Sequence, residues 1–378
     1  MRARSRLLLA LVMPGLMLVT VAMVSTPGAT PAAAMRVKPP PTEYYVAMGD
    51  SLGQAGGATA YQYGYVNLVY QHELTRYPGL QLENLSCDGA STTSVIGPSG
   101  CTYATGTQLG DAESFLRAHA GHVALVTIDI GANDVDQCAD SSGIDTGCVD
   151  TGVAHITTNL PLILSGLNAA YPGLAMYGMD YYDPFLADWL SGPSGQVVAT
   201  QSEADTVALN SLLTQVYTTA DAATADPATL FQITNFAPTS SYMGMVLPEN
   251  VALACQWTNM CDDGDFHADD AGHAQLAAAF EQVIDDVTVN QGSLPSGSVK
   301  VSYTTTLTST GGNLPCTWSV ASGSLPPGLR LHRTTGAISG KPRSSGTYSF
   351  SVQVRDTKNR TPPATQDSAT GAFSITIG

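Results

Sequence analysis

Along the first two thirds of the chain, short apolar or alternating runs are separated by longer stretches in which apolar residues recur every three or four positions. The short runs at 44–48, 80–86, 123–130, 174–179 and 230–234 predict strands, and the periodic stretches at 65–76, 109–119, 153–170, 204–219 and 271–287 predict helices. The phrase Tyr-Pro-Gly-Leu stands at 77–80 and again at 171–174, each time after a predicted helix and before a predicted strand. Pro and Gly stop the helix and turn the chain back, so one kind of connection is used twice. Strands alternating with helices imply an α/β domain over 43–290, a mostly parallel sheet covered on both faces. In such sheets ligands bind at the carboxyl ends of the strands. Residues 235–265 read as a long connection carrying Met243, Met245, Val246, Leu247, Trp257 and Met260, which either form an apolar rim beside the site or pack the connection down.

The pattern changes near 290. "NQGSLPSGSVK" is rich in Gly, Ser and Pro, and 291–298 is assigned as a linker. Residues 299–378 carry short alternating runs punctuated by Pro-Pro-Gly and Gly turns, which predicts a small all-β sandwich. Charge changes at the same place. Residues 39–295 hold 29 acidic residues against Arg76 and Arg117, whereas 296–378 hold eight basic residues against Asp356 and Asp367. A surface as acidic as the first region repels phosphate backbones, so no nucleic-acid partner is expected.

The first residues look like an export signal. Arg2, Arg4 and Arg6 precede an apolar run from 7 to 24, and Ala32, Ala33 and Ala34 form a small-residue cleavage pattern. A signal peptide over 1–34 is expected, with the mature protein secreted. A retained anchor competes with this reading, but Pro14, Gly15 and the alanine pattern favour cleavage. Six of the seven cysteines form sequence-local pairs, Cys87 with Cys101, Cys138 with Cys148 and Cys255 with Cys261, as suits an oxidising compartment. Cys316 is left over and expected to be buried. No Cys/His spacing suggests a metal, and no cofactor is expected.

Chemistry-bearing residues gather where the predicted strands end. Ser51 follows the first strand in "YYVAMGDSLG", Gly89 lies after the second in "NLSCDGAST", and Asn133 comes after the third in "TIDIGANDVDQC". His267 precedes the last helix in "DDGDFHADDAGH". A serine nucleophile needs a base, and a tetrahedral oxyanion needs donors aimed at it. Ser51 and His267 meet the first need. The backbone N–H groups of Ser51 and Gly89 and the Asn133 amide meet the second. "GDSLG" also satisfies the G-x-S-x-G elbow of α/β-hydrolases, but that elbow normally follows several strands, not the first.

These four blocks, in this order, resemble the SGNH (GDSL) hydrolase superfamily, with "GDSL" at 49–52, "GAND" at 131–134 and "HADDAGH" at 267–273. The resemblance covers roughly 43–290. It implies a flavodoxin-like three-layer α/β/α fold and ester hydrolysis through an acyl-serine, in the manner of the secreted bacterial esterase and lipase branch. The family's usual acid lies three residues before the histidine, where this chain has Gly264. Asp265 is two before and Asp263 four before, so either carboxylate or a backbone carbonyl can hold the imidazole. Asp265 is therefore expected to support catalysis rather than be essential. "LPPGL" and "GAISGKP" in the last region closely resemble the immunoglobulin-like domain of bacterial surface and secreted proteins.

The resulting expectation is a secreted esterase or lipase acting on a small-molecule or lipid ester, with a polysaccharide or cell-surface ligand for the sandwich. A carbohydrate O-deacetylase and a non-catalytic adhesive surface protein are the alternatives.

Overall fold

The computed structural model describes residues 42–140, 143–238, 240–290, 293–312, 316–356 and 368–378. The signal peptide expected at 1–34 lies outside these residues, as do 291–292 of the linker and parts of the sandwich. The chain opens with β1 (Glu43–Gly49), α1 (Tyr65–Glu73) and β2 (Leu80–Asn84). Next come α2 (Thr92–Ile96), α3 (Gln108–Ala118), β3 (Val123–Asp129) and α4 (Ala132–Val135). A small hairpin, β4 (Ala139–Asp140) and β5 (Gly143–Ile144), leads into α5 (Thr146–Ala170). β6 (Met176–Met179), α6 (Pro193–Thr219), β7 (Ala223–Ala225) and α7 (Pro227–Leu230) follow. A second hairpin, β8 (Ser240–Tyr242) and β9 (Met245–Leu247), precedes α8 (Glu249–Trp257), α9 (Met260–Asp263) and α10 (Asp270–Asp285).

The main sheet has the order β2-β1-β3-β6-β7, with every neighbouring pair parallel. This is the doubly wound, flavodoxin-like arrangement. Helix α1 packs on α10, while α3 packs on α5 and α5 on α6, giving the two outer layers. Strand β1 shows why both faces need covering. Tyr45, Val46, Ala47 and Met48 are all buried, so their alternating side chains enter core on either side. The two Tyr-Pro-Gly-Leu phrases adopt matching turns: the N–H of Leu80 donates to Tyr77 O, and that of Leu174 to Tyr171 O. Each leucine is buried.

Two predicted elements differ. The fifth strand is Ala223–Ala225, not 230–234. Asp226 accepts the Thr229 N–H at 2.7 Å and Pro227 opens the helix, so α7 runs up to Leu230 and 231–234 form a turn in place of the expected strand. The apolar residues Phe231 and Ile233 reach the core from the turn that follows. The connection read across 235–265 is likewise structured, as β8, β9, α8 and α9.

The C-terminal region is all-β. It comprises β10 (Thr288–Val289), β11 (Tyr303–Thr306), β12 (Ser309–Thr310), β13 (Thr317–Gly323), β14 (Leu329–Leu331), β15 (Ala337–Gly340), β16 (Gly346–Arg355) and β17 (Ser368–Ile377). Antiparallel sheets β13-β16-β17 and β11-β15-β14 enclose Trp318, Phe350, Val352, Ile338 and Ile375. The unpaired Cys316 is buried with them. Val287 and Val289 also enter this core, so the sandwich draws on residues ahead of 291.

The sandwich joins the α/β domain at the amino ends of the sheet strands. Gly311 N–H donates to the Tyr177 hydroxyl at 3.1 Å and Gly312 N–H to Ile284 O at 3.1 Å. Beside this contact Arg76 bridges Asp285, at 2.6 Å, and the buried Glu73. Ser51 lies at the opposite, carboxyl end of the sheet.

Candidate active site

Strand β1 delivers Ser51 at its carboxyl end through a tight turn. Gly49 is required there: a Cβ on it would lie 1.9 Å from Asp129 Oδ1. Gln108, buried in α3, clamps both polar groups of Gly49, accepting its N–H at 3.1 Å and donating to its carbonyl at 2.9 Å. Beneath the turn lie two buried carboxyls. Asp129 accepts from Tyr65 Oη at 2.6 Å and from Gly53 N–H at 3.0 Å, and Asp50 accepts the Leu52 N–H at 3.0 Å. Burial pushes the Asp129 carboxyl well above the usual carboxylate range, and neighbouring Asp50 adds to the shift. Burial raises Asp50 as well.

His267 reaches Ser51 from the loop before α10. Its Nε2 lies 2.8 Å from Ser51 Oγ, and its Nδ1 lies 2.5 Å from Asp265 Oδ1. The same Asp265 oxygen accepts the His267 backbone N–H at 3.1 Å. With Nδ1–H turned to the carboxylate, Nε2 is left as the acceptor facing the serine. The one-residue displacement of the acid from the family spacing is absorbed by the backbone. Gly264 ends α9 in the left-handed region, φ 78°, so the chain reverses and Asp265 folds back over the imidazole. The expected supporting residue is thus in direct contact with the histidine. Asp263 instead accepts the Asp265 N–H at 3.2 Å.

The loop that carries His267 is tied on several sides. Its carbonyl accepts the Asn259 N–H at 3.0 Å, Asn259 Nδ2 donates to Gly57 O at 3.0 Å, and Tyr182 Oη donates to Phe266 O at 3.1 Å. His273, fully buried in α10, donates from Nε2 to Gly56 O at 2.8 Å and accepts the Tyr65 N–H at Nδ1. Both contacts suit a neutral ring, and burial lowers its pKa.

Asn133 sits in α4, one turn past β3, and lines the same cavity as Ser51 and His267. Its Nδ2 donates to Ala90 O at 3.1 Å, one residue beyond Gly89. The adjacent Asp134 accepts the Thr92 N–H and hydroxyl, each at 2.8 Å. Together these bonds stitch the loop after β3 to the Gly89 loop after β2. Gly89 is exposed at φ 70° and lies outside the cavity lining, while its N–H and that of Ser51 are unused by other groups among the described residues.

The cavity, about 100 Å³, is walled mainly by apolar side chains, among them Ile144, Val149, Val153, Phe185 and Leu209. Asp136 also faces it, and burial raises its carboxyl well above the usual range, with Asp50 and Asp183 adding to the shift. None of the apolar residues of 235–265 that were candidates for a rim lines it. Leu247 is buried and Trp257 packs edge-on against Phe231, while Met243, Met245 and Val246 are exposed on the second hairpin. The walls come instead from 135–153 and 182–209, which lie mostly between the predicted strands and helices. The three cysteine pairs are bonded, Cys87–Cys101, Cys138–Cys148 and Cys255–Cys261. Cys138–Cys148 braces the hairpin that carries Ala139 and Ile144 into the cavity wall.

A parallel sheet of this order, with a serine, a histidine and a carboxylate in line at its carboxyl edge, defines a hydrolase of the three-layer α/β/α class. The chain belongs to the GDSL-like lipase/acylhydrolase family, whose model matches residues 45–280. A second model, named "Putative Ig domain", matches 278–378. Among solved structures, the fold is similar to a phospholipase A1 from Streptomyces albidoflavus, at 17% identity and a TM-score of 0.42, covering 64% of this chain and 99% of that one. A lipase from a goat rumen metagenome matches at 15% identity and 0.43, covering 64% and 97%. An acetyl xylan esterase matches at 13% identity and 0.42, covering 64% and 99%. A "putative alpha-galactosidase" of Bacteroides fragilis matches over 25% of this chain and only 18% of its own, at 24% identity and 0.21. None of the curated proteins compared with this chain matches it.

Proposed function

We propose that this protein hydrolyses carboxylic esters through an acyl-serine formed on Ser51. The observation that carries the reading is the continuous relay from Ser51 Oγ to His267 Nε2 at 2.8 Å and from His267 Nδ1 to Asp265 at 2.5 Å. As Ser51 Oγ attacks the ester carbonyl, its proton passes to Nε2, and Asp265 stabilises the imidazolium. The carbonyl oxygen takes up the negative charge, met by the free N–H groups of Ser51 and Gly89 and the second N–H of the Asn133 amide. Collapse of the tetrahedral species breaks the bond to the alkoxy oxygen, which leaves as the alcohol with the proton held on Nε2. Water then repeats the sequence on the acyl-serine, releasing the acid and restoring Ser51.

The apolar walls favour an acyl group longer than acetyl, which supports an esterase or lipase over a carbohydrate deacetylase. An intact relay is also unexpected in a purely adhesive protein. Three disulfides fit an oxidising, extracellular setting, and no helix among the described residues is long and apolar enough to cross a membrane. The test is a chain-length series of p-nitrophenyl esters run beside acetylated xylan. kcat/KM rising beyond the acetyl ester, with little acetate released from xylan, is the expected result. Preference for xylan would replace the esterase reading with the deacetylase.

A further inference from the structure

The second hairpin gathers exposed apolar side chains in one short stretch. Residues 240–248, "SSYMGMVLP", contain no charged side chain. Its tip is the two-residue turn Met243–Gly244, with φ 46° and 79°. That backbone favours Asn or Asp followed by Gly, so a methionine there is held in a region that costs it energy. Met243 is 77% exposed, Val246 71% and Met245 46%. The inner face is anchored instead: Leu247 is buried against Val251 and Ala252, with Trp189 and Tyr242 packed around them. The hairpin is therefore fixed at its base and apolar at its tip.

One segment links this hairpin to the cavity. In the 3-10 helix Pro184–Ser191, Pro184 and Phe185 line the cavity while Trp189 packs in the hairpin's cluster. At 1.5–2.0 Å per residue that segment spans roughly 12–16 Å. Leu190, at the hairpin end of the segment, and Phe266, at the cavity, are also partly exposed. The charges set against the hairpin are acidic: Glu249, which accepts from Ser240 Oγ, and Asp262, whose charge acts on Tyr242. An uncharged apolar tip within an acidic surround is repelled by anionic headgroups and matches an electrically neutral apolar boundary.

We infer that the β8–β9 hairpin inserts Met243, Met245 and Val246 into the surface of zwitterionic or neutral lipid aggregates, bringing the Ser51 cavity to ester substrate held there. The inference rests on the ester-hydrolase reading for its purpose, but binding is measured separately from catalysis.

The full chain carrying Ser51→Ala, which leaves the lipid intact, is sedimented with phosphatidylcholine vesicles and with phosphatidylglycerol vesicles. Binding to phosphatidylcholine is expected, with weaker binding to phosphatidylglycerol. Adding Met243→Ser and Val246→Ser should weaken phosphatidylcholine binding at least about tenfold, since two large side chains lose their transfer to lipid. A single Val246→Lys should also weaken it, which guards against misfolding of the double variant. With Ser51 intact, the double variant should keep its kcat on a soluble ester and lose rate on vesicular ester. Equal vesicle binding by the variants, no binding at all, or dimerisation that depends on Met243 and Val246 would overturn the inference. No turnover of a soluble ester by the unsubstituted protein would overturn the site's reading instead, and leave the vesicle result to stand or fall alone.

Discussion

At the scale of single residues, the contact between Asp265 and His267 changes what the sequence alone suggests. Spacing pointed to a helper, because the acid stands one position from where the family keeps it. A left-handed Gly264 supplies the reversal that makes up the missing residue. The same carboxylate oxygen holds both the ring and the backbone N–H of His267. A carboxylate so placed fixes the tautomer, and losing it costs about 10⁴ in kcat in a serine triad. Asp265→Asn is therefore expected to lower kcat on a soluble ester by about 10³–10⁴, approaching the loss in His267→Ala. A loss below about tenfold would return Asp265 to a supporting role. The residues brought together at the cavity, Ser51, His267 and Asn133, were legible in the sequence because each stands just past a strand or before a helix. Asp129, Tyr65 and Gln108 were not. They hold the Ser51 turn across separations of dozens of residues, and no local pattern marks a buried polar side chain that serves a distant backbone.

At the scale of elements, the two loops that would face an oxyanion are joined through Asp134. Its carboxylate caps the amino end of α2, which follows Gly89, while Asn133 beside it reaches Ala90. Hydrogen bonds to a charged, buried carboxylate are worth about 1.5–3 kcal/mol each. Asp134→Ala removes two of them and should thus lower stability by roughly 3 kcal/mol or more. It should also lower kcat by at least about tenfold with KM little changed, because misplacement rather than lost binding is the cause. Unaltered kcat in a destabilised variant would make Asp134 a purely structural clamp. Four of five strands were readable from apolar runs, but the fifth was misplaced, since Asp226 and Pro227 start a helical turn that runs into the apolar stretch 230–234 and leaves the rest of it as a turn. The cavity walls were hidden for another reason. Ile144, Val149, Val153 and Leu209 lie on a hairpin and on helices whose apolar faces meet only in the folded molecule.

At the scale of the whole molecule, the sandwich and the site occupy opposite ends of the sheet. A chain ending at Asp286 should keep kcat on a soluble ester, although uncovering Tyr177 and Ile284 should lower its Tm. A large fall in kcat would mean that the sandwich shapes the site. Stability should also depend on pH in a definite direction. Burial pushes Asp183 up to about 7 and Asp180 up to about 8, where the neighbouring Asp226 adds to the effect. Between about pH 4 and 8 the folded protein keeps protons that the unfolded chain has lost, so stability falls as pH rises. Tm is expected to be several degrees higher at pH 5 than at pH 8, at roughly 2–4 °C per kcal/mol. Asp183→Asn should flatten that slope, and an unchanged slope would show that Asp183 titrates normally. All of this turns on Ser51 as the group that carries the acyl chain. The most direct measurement is the mass of the intact protein after reaction with a fluorophosphonate, followed by peptide mapping. One phosphonyl group on Ser51, absent from Ser51→Ala together with ester turnover, is the result expected. An unlabelled Ser51, or turnover that survives in Ser51→Ala, would contradict the account.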